Sequence, residues 1–258
     1  MIAIKNLTYS INDNPVFNNL SAAFNNNEII GITGGAGSGK STLIDILRLE
    51  IKNFQGDILI NDANIIDMDK KILNKLISYY TFRYDLINQE ASVNDWILSG
   101  RIHHKKRLNP YADIDKEIAY KAMEQFGLAE FAETKIKQLP ESLGRMGHLA
   151  RTFASKSEIL LLENPEAGLN LSQTILLGKN IKRYTASGNN IIILTSTSLN
   201  FIAAACDRII VLADNSIAES GSHGIITDEF VKKYFKVESV VTKNIYTGLP
   251  EIQVIEET

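Results

Sequence analysis

The segment between residues 34 and 42 constrains this chain more than any other. It satisfies the pattern G-x-x-x-x-G-K-[ST], and it lies between an apolar run at 29–33 and the start of an amphipathic helix at 43–47. A strand, a glycine-rich loop and a helix in this order predict a phosphate-binding loop. Its residues are Gly34, Gly35, Ala36, Gly37, Ser38, Gly39, Lys40, Ser41 and Thr42.

The chemistry of this loop points to a nucleoside triphosphate. Its glycines let the backbone curl so that successive N–H groups face one point at a helix N-terminus, where the dipole also favours an anion. Lys40 is expected to place its ammonium between the β- and γ-phosphates, and Ser41 to offer its hydroxyl to Mg²⁺. A glycine-rich turn without a ligand would not need this lysine and serine together. The loop alone leaves open a kinase, a GTPase, a motor or a transporter subunit.

Composition narrows the class of protein. The 258 residues allow one large domain or a core with a subdomain. A net charge of −3 gives no support for a nucleic-acid partner, and we interpret the basic cluster 103–107 as a solvated loop. No apolar run approaches the roughly 20 residues that span a bilayer, and no signal-peptide layout opens the chain. The single cysteine, Cys206, predicts a buried thiol, which fits a reducing, cytoplasmic setting.

The apolar pattern predicts a mostly parallel α/β sheet with a helical insertion. Strands are predicted at 2–9, 15–24, 28–33, 56–65, 77–81, 159–162, 191–194, 209–212 and 217–218. Helices are predicted at 40–50, 70–76, 93–101, 114–126, 129–138, 171–184 and 228–235. Strand signals vanish between about 90 and 155, which predicts an inserted helical subdomain. Strands alternating with helices around the loop predict an α/β fold with a parallel sheet.

Over nearly its whole length the chain resembles the ATP-binding-cassette (ABC) ATPases. The features are a β-rich start, the form of the phosphate loop, a Walker B strand with its D-loop, and a closing hairpin. The matching segments are 6–9, 16–21, 37–43, 150–151, 158–170, 206–212 and 217–221. Within the family, the segments 92–104 and 242–250 look most like those of importers of iron-siderophore, haem or cobalamin.

The resemblance implies a P-loop NTPase (RecA-like) core with an N-terminal antiparallel β-subdomain and an inserted α-helical subdomain. It predicts the β-subdomain and core at 1–88 and 156–222, the helical subdomain at 89–155, and a C-terminal extension at 223–258. It implies ATP and Mg²⁺ as cofactors, and a homo- or heterodimer of ABC subunits that sandwiches two ATP molecules. It also implies an integral membrane permease as partner, touched by the helical subdomain, and a cytoplasmic location at the inner face of the cell membrane.

Several positions that carry hydrolysis in the family are replaced here. After the strand 159–162, the Mg²⁺-organising aspartate is Glu163, which can still accept a hydrogen bond from a Mg²⁺-bound water. The next position, which holds the family's general base, is Asn164. A carboxamide can orient water but cannot accept its proton near neutral pH, and general base catalysis typically contributes about 10²–10⁴-fold. After the strand 191–194, Ser196 takes the place of the histidine that contacts the γ-phosphate.

The signature loop is also altered. In the family it reads Leu-Ser-Gly-Gly-Gln, and its backbone N–H groups approach the γ-phosphate bound by the partner. Here both glycines are absent, and Glu141 is expected to bring like charge toward that phosphate. The matching residues are Leu139, Pro140, Glu141, Ser142 and Leu143.

Three further positions depart from the family. Phe82 stands at the position of a glutamine that joins Mg²⁺ to the helical subdomain, and Gln89 lies seven residues on. Ile11 stands where an aromatic side chain stacks on adenine, with Tyr9 as a possible replacement two residues earlier. Asn170 replaces the D-loop aspartate.

These substitutions leave two hypotheses. In the first, the chain binds ATP but hydrolyses it poorly or not at all, and acts as a scaffold, a regulator or one partner of a competent subunit. In the second, it is a divergent but active ATPase motor, in which Glu163 doubles as the base or the partner subunit supplies the missing groups. Other P-loop classes and a decayed gene copy also stay open.

Overall fold

The computed structural model describes residues 1–81, 90–105 and 109–257. The chain divides into two compact units. Unit 1 consists of residues 1–68 and 191–258, and unit 2 consists of residues 69–190. The predicted subdivision at residues 88, 155 and 222 stays a prediction, and the two units divide the chain at other points.

Unit 1 contains an antiparallel sheet with the strand order β2-β1-β4-β5. Its strands alternate apolar and polar side chains, and Ile2, Ile4 and Leu7 lie buried on one side of the first of them. The strands are β1 (Ile2–Ile11), β2 (Asn14–Phe24), β4 (Gln55–Ile60) and β5 (Ala63–Asn64).

The second group of strands in unit 1 surrounds β3 (Glu28–Thr33), which pairs in parallel with β8 (Ile191–Thr195) and β9 (Arg208–Ala213). The strand β10 (Ser216–Gly221) pairs antiparallel with β9. All five residues of β8 are buried, as expected for short apolar strands covered on both faces.

Asn/Asp pairs turn the tight hairpins of unit 1. Each of these residues has a φ between 47° and 65°, so both central positions of the turn are left-handed. This is the type I′ geometry that matches the twist of paired strands and that Asn and Asp tolerate well. The pairs are Asn12–Asp13, Asn61–Asp62 and Asp214–Asn215.

Unit 1 is completed by helices and a C-terminal hairpin. The helices are α1 (Lys40–Leu47), α7 (Leu199–Ala205) and α8 (Asp228–Phe235), and the hairpin pairs β11 (Val237–Lys243) with β12 (Pro250–Glu257).

Unit 2 combines two parallel strands with a helical bundle. The strands β6 (Ile77–Thr81) and β7 (Ile159–Glu163) pair in parallel. The helices are α2 (Lys70–Leu76), α3 (Val93–Leu98), α4 (Asp113–Gln125), α5 (Glu141–Ala154) and α6 (Leu171–Ala186). In the core, the ring of Phe153 packs edge-on against Phe126 and Tyr184, with centroids 5.1 Å apart in each pair.

The structure confirms the predicted strands 28–33 and 77–81 and the helices 70–76 and 228–235. The predicted helix at 129–138 is wrong. Only two short 3₁₀ turns form there, Ala129–Phe131 and Ile136–Gln138. The reason is a tertiary one: the backbone between 132 and 136 pairs with that of residues 91–94, through bonds such as Val93 N–H to Thr134 O at 3.0 Å.

None of the helices within the described ranges is both long and apolar enough to cross a membrane.

Candidate nucleotide site

The glycine-rich loop of unit 1 has a backbone conformation that requires glycine at both of its ends. It leaves the buried strand β3 at Gly34, whose φ is 144°, and enters α1 from Gly39, whose φ is 93°. A Cβ on Gly34 would lie 2.3 Å from the carbonyl oxygen of Leu212, and one on Gly39 would lie 2.8 Å from the ring of Phe17. Glycine is therefore the residue that fits at both ends of the loop.

Lys40 folds back into this loop. Its Nζ donates to the carbonyl oxygens of Gly34 and Gly35, at 2.8 Å each, and to Ser38 Oγ at 3.2 Å. Burial lowers the pKa of Lys40. The ammonium is thus held by carbonyl dipoles that phosphate oxygens can replace. Ser41 is exposed in the first turn of α1, one residue after the lysine.

A cavity of about 360 Å³ adjoins the loop within unit 1. Its walls are residues 35–38 of the loop, residues 212–215 around the β9–β10 turn, Val16, and α8 with the residue after it. The wall from this helix brings the cations Lys233 and Lys236 and the aromatic Tyr234. The volume lies within the range of about 300–1,000 Å³ found for small-molecule sites. Sequence reasoning did not find this contribution of α8, since only the fold brings residues 233–236 to the loop.

The two candidates for an adenine contact lie on β1. Tyr9 is half-buried, and Ile11 is 46 % exposed. The pairing of β1 with β2 shifts register between Tyr9 and Ser10. Because such a shift interrupts the two-residue alternation of side chains, a shared strand face for Tyr9 and Ile11 does not follow from their spacing.

Glu163 ends the strand β7 in unit 2 and is 7 % exposed. Tyr79 Oη and Thr81 Oγ1 each donate a hydrogen bond to Glu163 Oε2 at 2.8 Å. Thr81 lies directly opposite Glu163 in the parallel register. The carboxylate at this position is therefore anchored to the neighbouring strand. Sequence reasoning missed Tyr79 and Thr81, although the spacing of two along β6 places both on one face.

Asn164 follows β7 at once in a left-handed conformation, with a φ of 44°. Asn and Asp adopt this conformation more readily than other side chains with a Cβ. The carbonyl oxygen of Asn164 accepts from the N–H of Ala167 at 3.1 Å, which closes a turn. The residue that the resemblance aligns with the family's general base is therefore a turn-forming amide.

Asn170, at the D-loop position, caps α6. Its Oδ1 accepts from Gln173 N–H at 2.9 Å, and Gln173 Oε1 accepts from Asn170 N–H at 3.0 Å. This reciprocal pair is a capping box, which supplies a local structural reason for the asparagine.

Ser196, at the switch position, is fully buried in unit 1. Its Oγ accepts from Ser198 N–H at 2.8 Å, and its carbonyl oxygen accepts from Thr33 Oγ1 at 3.0 Å. The side chain thus bonds to its own turn at the start of α7.

The signature positions are partly helical, which corrects the expectation of a loop from 139 to 143. Pro140 is the N-cap of α5, and the helix begins at Glu141. The Glu141 carboxylate forms an ion pair with Arg145 Nη2 at 2.5 Å, so its negative charge has a positive neighbour. Gln173 Nε2 also donates to Ser142 Oγ at 3.3 Å, which connects α6 with the first turn of α5.

Phe82 and Gln89, the two residues considered for the contact between Mg²⁺ and the helical subdomain, lie outside the described residues.

A comparison with known families decides the class of protein. A family model described as ABC transporter matches residues 17–167. The chain belongs to the ABC transporter family. Its mixed α/β fold, with the antiparallel β-subdomain and the helical insertion, is that of an ABC cassette. As a solved example, an ABC transporter assigned to the metal-chelate type, in an inward-facing conformation, matches with a TM-score of 0.78 at 21% identity, over 98% of this chain and 96% of that one.

Sequence relatives cover the chain almost completely. An uncharacterised ABC transporter ATP-binding protein of Methanocaldococcus jannaschii is 26% identical, over 98% of this chain and 97% of its own length. The petrobactin import ATP-binding protein FpuD of Bacillus anthracis is 24% identical, over 95% of this chain and 90% of its own length. Both of these matches extend over at least nine-tenths of each of the two chains compared.

The donor sets fit Mg²⁺ and a phosphate chain. The loop offers backbone N–H groups and the Lys40 ammonium, in a backbone that excludes a Cβ at Gly34 and Gly39. Ser41 in unit 1 and Glu163 in unit 2 each carry an oxygen donor of the kind that Mg²⁺ prefers, and a bound Mg²⁺ would supply positive charge to the phosphate.

Proposed function

We propose that this chain is the ATP-binding subunit of an ABC importer for iron-siderophore, haem or cobalamin, and that it binds Mg·ATP with weak or absent hydrolysis. The observation that carries the proposal is the contrast between a complete phosphate loop and an amide at the position of the general base. The family and the named importers among its relatives support the proposed substrate class, partners and place under the membrane.

Phosphate binding rests on the loop from Gly34 to Thr42. Lys40 would exchange the carbonyl oxygens of Gly34 and Gly35, now 2.8 Å from its Nζ, for β- and γ-phosphate oxygens. The N–H groups at the start of α1 supply further donors to the anion. Ser41 would hold Mg²⁺, with Glu163 acting through a Mg²⁺-bound water. Tyr9 or Ile11 would contact the base.

Weak hydrolysis rests on the residues that would activate water. Asn164 lacks a basic atom at neutral pH, so it cannot take the proton of an attacking water. Ser196 is buried and bonds to Ser198 N–H rather than projecting from the end of β8. At the signature positions, Pro140 cannot donate a backbone N–H, and Glu141 carries a charge of the same sign as phosphate.

The importer class is suggested by the segments 92–104 and 242–250 and by relatives named for import, such as the petrobactin protein of Bacillus anthracis. As a subunit of such an importer, the chain would form a homo- or heterodimer. It would lie at the cytoplasmic face of the membrane, bound to a permease.

One observation favours the alternative of a divergent but active motor. Glu163 keeps a carboxylate next to the missing base, and the hydroxyls of Tyr79 and Thr81 hold it in place. In that case Glu163 would serve as the base, and its replacement by Gln would abolish turnover.

The proposal is tested by measuring Mg·ATP binding and phosphate release on the same purified sample. Binding that disappears in Lys40→Ala, with no phosphate release above that variant, supports the proposed function. Phosphate release that disappears in both Lys40→Ala and Glu163→Gln favours the motor. Absence of nucleotide binding in the unaltered protein contradicts both.

A further inference from the structure

The cavity beside the glycine-rich loop lies next to the phosphate position rather than around it. Loop residues 35–38 line this cavity, whereas Lys40, whose ammonium would meet the phosphates, is not among the described residues that do so. The volume of about 360 Å³ is at the lower end of the range of about 300–1,000 Å³ found for small-molecule sites. The cavity therefore suits the part of a nucleotide that continues beyond the phosphates, its ribose and base.

The walls of this cavity combine apolar residues with one aromatic ring. Val16 and residues 212–213 are apolar, and Tyr234 is the aromatic residue among the described residues of the lining. Sites for flat organic ligands are typically lined in this way. Among the same described residues, neither Tyr9 nor Ile11 of β1 lines the cavity. An aromatic contact made in this cavity therefore comes from α8 and not from β1.

Two contacts within unit 1 fix the Tyr234 ring in place. Tyr234 Oη donates a hydrogen bond to Glu219 Oε2 at 3.0 Å, and the ring packs edge-on against the buried Phe230 with centroids 5.1 Å apart. The backbone at this position also touches the loop, since a Cβ on Gly35 would lie 3.7 Å from the carbonyl oxygen of Tyr234. A ring that is already ordered loses little conformational freedom when a ligand binds.

The Tyr234 ring already holds a cation. Lys233 Nζ lies 4.6 Å from the centre of the ring, which shows that the electron-rich face is open to a ligand group. Lys233 and Lys236 are both exposed, and they flank Tyr234 on the same wall of the cavity. Because cation–π contacts at exposed sites are weak, the Lys233 ammonium can leave the ring for phosphate oxygens when a base stacks there.

We propose that Tyr234 stacks on the base of the bound nucleotide. The C-terminal helix α8 then supplies the aromatic contact that the resemblance assigns to the position of Ile11 on β1. Stacking of a base on an aromatic side chain typically contributes about tenfold or more to affinity. The proposal rests on the proposed function, because it concerns the nucleotide whose phosphates the loop would bind.

The test compares two ligands by isothermal titration calorimetry: Mg·ATP, and Mg·tripolyphosphate, which has the phosphate chain without ribose and base. Tyr234→Leu keeps an apolar side chain but removes the ring, and we expect ATP affinity to fall about tenfold while tripolyphosphate affinity is unaltered. Tyr234→Phe keeps the ring and is expected to retain most of the ATP affinity. If Tyr234 only placed α8 against the loop, Tyr234→Leu would weaken both ligands alike.

Control variants assign the effect to this position. Tyr246→Leu makes the same change at a tyrosine that is 90 % exposed between β11 and β12, and it is expected to leave both affinities unaltered. Tyr9→Leu tests the candidate on β1 and is expected to cost less ATP affinity than Tyr234→Leu. If Tyr234→Leu does not fold, NMR of the unaltered protein decides. Nuclear Overhauser contacts are expected between adenine H2 or H8 and the Tyr234 ring, and their absence contradicts the proposal.

Three results would overturn the proposal: equal weakening of both ligands in Tyr234→Leu, no weakening of ATP binding in that variant, or loss of ATP affinity in Tyr9→Leu alone. Lys40→Ala is expected to weaken both ligands, which separates the two claims. Lys40-dependent binding without an effect of Tyr234→Leu contradicts the stacking contact alone. Binding of both ligands that is unaffected by Lys40→Ala contradicts the proposed function, and absence of binding of either ligand contradicts both.

Discussion

The loop after β3 in unit 1 and the turn after β7 in unit 2 both follow a buried parallel strand, but they are built for different chemistry. The first holds a lysine ammonium among carbonyl oxygens, in a backbone with no room for a Cβ at Gly34. The second holds an amide, Asn164, in a left-handed turn. The first retains what binds phosphate, while the second lacks a group that takes a proton from water.

Under the proposed function, this difference means that binding and cleavage of a nucleotide depend on separate local structures. Two of the substituted positions have a local role in the fold: Asn170 caps α6, and Ser196 closes a turn before α7. Such roles explain how these positions keep the fold without the family's catalytic side chains.

The largest expected effect is on ATP affinity and concerns the loop after β3. Lys40→Ala removes the charge that meets the β- and γ-phosphates, and we expect Mg·ATP affinity to fall about a hundredfold or more. Isothermal titration calorimetry checks this, with Lys52→Ala as the control for an exposed lysine. Equal affinity in the two variants would show that the loop is not the phosphate site.

A steric change in the same loop comes next. Gly34→Ala combines a φ of 144° with a Cβ 2.3 Å from Leu212 O, and we expect the free energy of unfolding to fall by about 2 kcal/mol. Urea denaturation measures it. Gly178→Ala, on α6 with open space around it, is the matched control and is expected to be neutral or stabilising. A Gly34→Ala protein as stable as the control would contradict the loop geometry.

The core of unit 2 is expected to be sensitive to acid. Burial, and then Arg151, lowers the pKa of His148 to about 3, from an ordinary value of 6.5. As the pH falls, the imidazole takes up a proton in the unfolded chain before it does so in the folded protein. The free energy of unfolding therefore decreases between these two pKa values, by at most about 1.4 kcal/mol per pH unit. His148→Asn should flatten that slope, relative to the unaltered protein, in urea titrations between pH 7 and pH 5. An unchanged slope in His148→Asn would contradict this assignment.

The smallest expected effect concerns the start of α5. Glu141→Gln breaks the pair with the buried Arg145, and we expect a loss of about 0.5–1 kcal/mol in the free energy of unfolding. Glu117→Gln breaks the exposed pair with Lys121, also four residues apart, and is expected to cost less, about 0.3 kcal/mol. Thermal unfolding of the two variants compares them, and a smaller shift for Glu141→Gln would show that Arg145 gains nothing from its partner.

Much of the fold could be predicted because local pattern and tertiary structure agree. The apolar runs 159–162 and 191–194 form strands, and the glycine loop between β3 and α1 has a motif that fixes its position. The helix expected at 129–138 failed because its backbone pairs with residues 91–94, which no local pattern reveals. The hairpin β11–β12 was missed, although Asn244 and Gly248 mark its turn, with Gly248 N–H donating to Asn244 O at 2.8 Å.

In the candidate site, too, some residues could be identified from the sequence and others only from the fold. Lys40 and Asn164 could be identified from the sequence alone. Lys40 lies within the phosphate-loop motif, and Asn164 follows closely after the apolar run 159–162. The hydroxyls that hold Glu163 come from a strand some 80 residues earlier, as the Tyr79 bond spans 84 positions.

The central claim is that this protein binds ATP without cleaving it, because Asn164 cannot act as a base. The most direct test is steady-state phosphate release with Mg·ATP, measured on the unaltered protein, on Lys40→Ala and on Asn164→Glu, with ATP binding measured on the same samples. The account predicts Lys40-dependent binding and no phosphate release above Lys40→Ala in the unaltered protein, with release rising in Asn164→Glu. Clear Lys40-dependent release by the unaltered protein would contradict it and identify an active importer motor.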